Sequence, residues 1–269
     1  MARAGRNLLL PASLAGLVAL TGCGSPPKNE SAAVTAERLY KDAKEDADSG
    51  SFERAIKSLE RVEGLAAGTL LAQQALLDLA YLQWKAGERE QALTAVERFI
   101  KLNPSSPAFD YALYLRGVIN FNDNLGLLGI VAGQDLSERD QRASREAYQA
   151  FKRLVDLFPN SRYAADARLR MDYIVNSLAS YEVHVAGYYL RRGAYVAAAN
   201  RAQQMIAEYP RTPATEEALA IMVQSYDKLE LAGLRDDAQR VLRQNFPQSR
   251  FLGGAGGSGN SGKPWWQLW

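Results

Sequence analysis

Residues 191–210 read RRGAYVAAANRAQQMIAEYP, and the spacing of four residues in this stretch decides the fold. Gly193 is followed two residues later by Tyr195, three further by Ala198, and the run closes on Pro210. Gly permits a tight turn, a small Ala lets two helices approach closely, and Pro ends the second helix. The same grammar occurs in KAGEREQALTAVERFIKLNP (residues 85–104) with Gly87, Arg89, Ala92 and Pro104, and in DSGSFERAIKSLERV (48–62) with Gly50, Phe52 and Ala55.

The prolines form a second series. LNPSSPAF (102–109), LFPNSRYA (157–164), EYPRTPAT (208–215) and NFPQSRFL (245–252) each place a helix-stopping Pro two residues before Ser or Thr. That hydroxyl is expected to cap the next helix, with Pro107 and Pro213 at first helical positions. A helix, a Gly turn, a second helix and a terminal Pro resemble the tetratricopeptide repeat, whose period is about 34 residues. The expected fold is therefore all-α, a superhelical solenoid of about five such repeats over residues 34–251. The first unit has VEGLAAGTLL where its closing Pro should be. The third carries an insertion, NDNLGLLGIVAGQDLSERDQ (122–141), and is followed by a long helix from about Ala164 to Arg192. The fifth is the most distorted.

In such a solenoid the first helix of each unit lines the concave side. By resemblance to the repeat family, the groove positions fall on Tyr40, Lys44, Leu77, Tyr81, Trp84, Tyr111, Tyr114 and Phe121. Each aromatic on its own could equally belong to the core between repeats. As a set they suggest a channel for an extended peptide, because Tyr and Trp offer broad apolar faces and a polar tip.

The chain ends tell where the solenoid works. Arg3 and Arg6 precede an apolar run, Leu8 to Leu20, too short to cross a bilayer, so residues 1–22 read as a signal peptide. Leu20-Thr21-Gly22-Cys23 resembles a lipobox and makes Cys23, the one cysteine, the expected lipid attachment point. Residues 23–33 form the acylated tether, and Gly24 in place of Asp implies the periplasmic face of the outer membrane. At the other end, residues 252–269 are a Gly/Ser linker ending in Trp265, Trp266 and Trp269, rings expected to dock on the protein itself, a partner or the bilayer interface.

Charge narrows the function. Of 32 basic residues Arg3 and Arg6 leave with the leader, so 30 balance 30 acidic ones. A neutral, mixed surface argues against nucleic acid. One Cys and one His exclude a zinc cluster, so no metal site is expected, and no cofactor beyond the covalent lipid. His184 lies in a helical stretch without triad partners, and no G-x-S-x-G, Walker A or H-E-x-x-H motif occurs, so the protein is not expected to be an enzyme.

The order of lipobox, ERLYKDA (37–43), RFIKLNPSSPAFDYALYLRG (98–117), SERDQRASREAYQAFKRLVDLFPNS (137–161) and YEVHVAGYYLRRGAYVAAANRAQQMIAEYP (181–210) resembles the BamD family, also called ComL or YfiO. These are the tetratricopeptide lipoproteins of the outer-membrane β-barrel assembly machinery. The resemblance runs from about Val34 to Phe251; the missing proline junction and the Trp-rich tail depart from it. It implies binding to the periplasmic POTRA region of BamA through the C-terminal repeats, with Tyr195, Arg201 and Arg211 as the expected contacts. It also implies other assembly-machinery lipoproteins as partners, and unfolded outer-membrane proteins as clients at the N-terminal groove. The competing reading is a periplasmic scaffold that coordinates peptidoglycan synthesis or hydrolysis enzymes.

Overall fold

The computed structural model describes residues 31–121 and 141–253. Ten helices fill them: α1 (Ala32–Asp48), α2 (Phe52–Leu65), α3 (Leu70–Lys85), α4 (Arg89–Leu102), α5 (Phe109–Asn120), α6 (Gln141–Leu157), α7 (Ala164–Arg191), α8 (Tyr195–Glu208), α9 (Ala214–Lys228) and α10 (Ala232–Asn245). A short 3-10 turn, Arg250–Gly253, follows. No strand occurs among the described residues. The signal peptide, the tether with Cys23, residues 122–140 of the insertion and the Trp-rich tail lie outside them.

Each helix packs on its neighbours in sequence, and α1 also touches α3 as α3 touches α5. First helices that meet in this way lie on the inner side of a curved stack. The apolar interior is correspondingly a chain of overlapping cores. One spans α1 to α5, a second joins α5, α6 and α7, a third joins α7, α8 and α9, and smaller ones lie under α10. Trp84 touches both the first and the second, so it stitches two repeats together.

The Gly turns form as expected. Gly50, Gly87 and Gly193 take φ of 78°, 84° and 76°, the left-handed region that a Cβ disfavours. Ala55, Ala92 and Ala198 behind them are fully buried. In the fifth unit the equivalent turn residue is Glu230, with φ 59°, and Arg235 stands where the others have the packing Ala. That unit is distorted because both positions of the motif are lost.

The missing first proline is replaced by chemistry of a different kind. Gly68 turns the chain at φ 80°, and the Thr69 hydroxyl both donates to the Ala66 carbonyl and accepts from the Ala72 amide, capping α3. At the proline junctions the capping expectation is corrected. Ser106, Ser161 and Ser249 accept from the amides of Ala108, Tyr163 and Phe251, two residues on, which closes a local turn before the helix starts. In the first two, a second bond explains the preference for Ser. Ser106 donates to Gln73 of α3, and Ser161 donates to Asp110 of α5, so each hydroxyl ties its junction to the preceding first helix. Pro107 lies two residues before α5 and Pro213 immediately before α9, each just outside its helix.

Candidate functional site

Four first helices, α1, α3, α5 and α7, carry the aromatic residues, and two aspartates organise them. The Tyr40 hydroxyl on α1 donates to Oδ2 of Asp78 on α3 at 2.6 Å. Gln74, one turn before Asp78, donates to Oδ1 at 3.1 Å, and Lys44 Nζ lies 3.9 Å from Oδ2. Tyr111 on α5 is half-buried beside this group, and burial, reinforced by the negative field of Asp78, raises its hydroxyl above the ordinary tyrosine value. Burial and the bond to Asp78 do the same to Tyr40.

The second aspartate, Asp166 of α7, accepts from the Tyr114 hydroxyl at 2.8 Å and from Arg170 Nε at 2.6 Å. Tyr114 stacks on Tyr163 with centroids 4.8 Å apart, and Tyr163 lies 5.4 Å from Tyr111. The Arg170 guanidinium sits 4.9 Å from the ring centre of Phe121, which meets Tyr173 and Phe151 edge-on. On α3, Tyr81 and Trp84 lean together at 5.8 Å, with Tyr81 39% exposed. The Tyr40 and Tyr114 hydroxyls are held by carboxylates while Tyr81 and Tyr173 keep exposed rings, an arrangement suited to a chain of mixed apolar and polar side chains.

Most predicted groove residues therefore lie on the first-helix series. Leu77 is the correction: it is 1% exposed and packs in the first core, covered by the neighbouring helices. Phe121 is not on α5 but caps its end in extended conformation, wedged against α6 and α7. Sequence reasoning missed Asp78, Asp166, Arg170, Tyr163 and Tyr173. The Asp166–Arg170 pair at i,i+4 was a legible signal; the Tyr40–Asp78 bond, 38 residues apart, was not.

The three residues expected to meet BamA are not one patch. Tyr195 opens α8, half-buried, whereas Arg211 lies past its far end, about 24 Å away at 1.5 Å per residue. Arg201 is turned inward. It forms an ion pair with Glu182 of α7, which is 7% exposed, with Nη2 donating to Oε1 at 3.2 Å. Arg211 lines a cleft of about 810 Å³ between α6, α7 and the α8–α9 junction, facing Arg145, Tyr148, Asp172 and Tyr209. Burial raises the Tyr209 hydroxyl, and a bond from Arg145 opposes that shift. Among the described residues no group of His, Cys, Asp and Glu could hold a metal ion, and no helix is long and apolar enough to cross a membrane.

Comparison with known proteins places this geometry. A family model described as "YfiO: Outer membrane lipoprotein" matches residues 32–251. "Outer membrane protein assembly factor BamD" of Neisseria meningitidis serogroup B is 44% identical over 269 residues, covering 98% of this chain and 99% of its own. The protein of the same name from Xylella fastidiosa (strain Temecula1) is 37% identical over 247 residues, 91% of this chain and 84% of its own. Among solved structures, that of MamA protein aligns over 80% of this chain and 92% of its own at 17% identity and a TM-score of 0.38, too slight a likeness to carry an argument. A family match across the whole helical array, together with relatives of this identity and coverage, establishes that the chain belongs to the YfiO family of outer membrane lipoproteins.

Proposed function

We propose that this chain is a non-enzymatic assembly factor of the outer-membrane β-barrel machinery, tethered at Cys23, which holds unfolded clients in its first-helix groove and docks on BamA through its C-terminal units. One observation carries the groove assignment. The Tyr40 hydroxyl of α1 is bound by Asp78 of α3, the Tyr114 hydroxyl of α5 by Asp166 of α7, and Tyr111 and Tyr114 meet Tyr163 just before α7, so aromatic residues link successive first helices. Preorganised rings of this kind lose little entropy on binding, which suits capture of an extended, partly apolar strand. Family membership supports the same reading, since the relatives are named outer membrane protein assembly factors. Arg211, in an open cleft, is a better BamA contact than Arg201, whose charge is already paired inside the fold.

The test is binding of a labelled peptide from the C-terminal strand of an outer-membrane protein of the same organism. Removing the half-exposed ring in Tyr81→Ala should weaken it about tenfold, the ~1.4 kcal/mol scale of one aromatic contact. Arg211→Glu should leave the peptide bound and weaken the POTRA region of BamA. Peptide affinity unchanged in Tyr81→Ala and Tyr111→Phe alike would sink the groove assignment.

A further inference from the structure

We propose that the edge of the solenoid formed by its first three junctions between units, α2–α3, α4–α5 and α6–α7, lies against the membrane surface, seating exposed leucines in the headgroup region. Consecutive helices run antiparallel, so the starts of α1, α3 and α5 share one edge with the ends of α2, α4 and α6. The last residues of α2, α4 and α6 are Leu65, Leu102 and Leu157, which are 41%, 64% and 54% exposed. Leu70, the first residue of α3, is 74% exposed at the same edge. The repeat fold does not require this: α8 and α10 end in Glu208 and Asn245. Single exposed leucines need no explanation, but one recurring at the same place in three successive units does.

Two further observations choose a lipid surface as the occupant. The first is where the described chain begins. Helix α1 starts at this edge with Ala32, and Ser31 stands only eight positions after Cys23, a span of at most about 28 Å at ~3.5 Å per residue. The inference rests on the reading of Cys23 as acylated; given that anchor, this is the edge held nearest the bilayer. The second is charge. The first junction, residues 64–70 (GLAAGTL), has no charged residue. The second and third add Lys101 and Arg162, while the acids at this edge are engaged: Asp156 is paired with Lys152, Asp166 with Arg170, and Asp110 accepts from Ser161. Leucines flanked by a mild positive excess suit an interface of anionic headgroups over hydrocarbon.

The test uses the full lipidated chain in vesicles of phosphatidylethanolamine and phosphatidylglycerol at ~3:1, with a quencher carried on lipid headgroups. Cys23 is the only cysteine, so Leu102→Cys or Glu88→Cys accepts one thiol-reactive fluorophore, at this edge or at the opposite, turn edge. The expected result is at least about twofold stronger quenching at 102 than at 88, reduced when phosphatidylcholine replaces phosphatidylglycerol. Equal quenching at both sites, or none at either, overturns the proposal, and the leucine edge then belongs to a protein partner. The unsubstituted chain reports the anchor separately. If it takes no fluorophore the Cys23 sulfur is blocked, whereas labelling shows a free thiol and removes the tether on which the inference rests.

Discussion

Tyr40 on α1 and Asp78 on α3 are joined by a 2.6 Å hydrogen bond, donated by the phenol, and Gln74 and Lys44 converge on the same carboxylate. The bond ties the first two inner helices together. Tyr40→Phe should cost about 1 kcal/mol and Asp78→Ala about 2 kcal/mol, because the latter orphans a phenol and removes the acceptor of three groups. Urea midpoints of the two single variants and the double variant check this. The double variant should be less unstable than the sum, and full additivity would show that the two residues do not interact.

Arg201 and Glu182 form a largely buried pair between α7 and α8. Arg201→Glu sets two carboxylates together there and should destabilise the fourth unit by about 3 kcal/mol. Arg201→Met combined with Glu182→Leu should recover most of that loss, since a buried pair is often replaceable by apolar side chains of similar size. Thermal melts followed by circular dichroism decide it. A loss of partner binding in Arg201→Glu is then a consequence of local unfolding.

Glu230 occupies the left-handed turn that Gly50, Gly87 and Gly193 fill elsewhere. Glu230→Gly should stabilise the chain by about 0.5–1 kcal/mol, because relief of the Cβ clash outweighs the added freedom of the unfolded chain. An unchanged or lowered urea midpoint would show that the turn is unstrained.

Stability should depend on pH at both ends of the range. Burial raises the Glu217 carboxyl above its ordinary 4.5, against the opposing pull of Arg250. The folded chain thus keeps that proton longer than the unfolded one as pH rises, and stability is lost as pH climbs from 4.5 through the folded value. Glu217→Gln should therefore raise the melting temperature at neutral pH, with the gain vanishing below pH 4.5. Tyr40, Tyr111 and Tyr114 are likewise raised, mainly by burial, so above pH 10 the unfolded chain ionises first and stability falls with rising pH. Melting temperatures across pH for the parent chain and Glu217→Gln test both limbs.

Local chemistry was legible in the sequence. Gly193, Ala198 and Pro210 fixed a turn, a close helix contact and a stop because each acts through its own backbone or volume, and the five helical pairs followed from repeating them. The long helix expected to about Arg192 ends at Arg191. The aromatic row was legible as well, since residues three apart share a helix face whatever the helix packs on. What the tertiary structure alone decided was partnership and side. Leu77 and Tyr81 are four apart on α3 and share a face, yet one is core and the other half-open, because the helices packed on α3 decide which of the two is covered. Arg201 looked like a surface cation until α7 brought Glu182, 19 residues away, against it. Asp78 and Asp166 hold Tyr40 and Tyr114 through bonds spanning 38 and 52 residues, and no local pattern encodes those, because the packing of the whole stack determines which first-helix side chains meet.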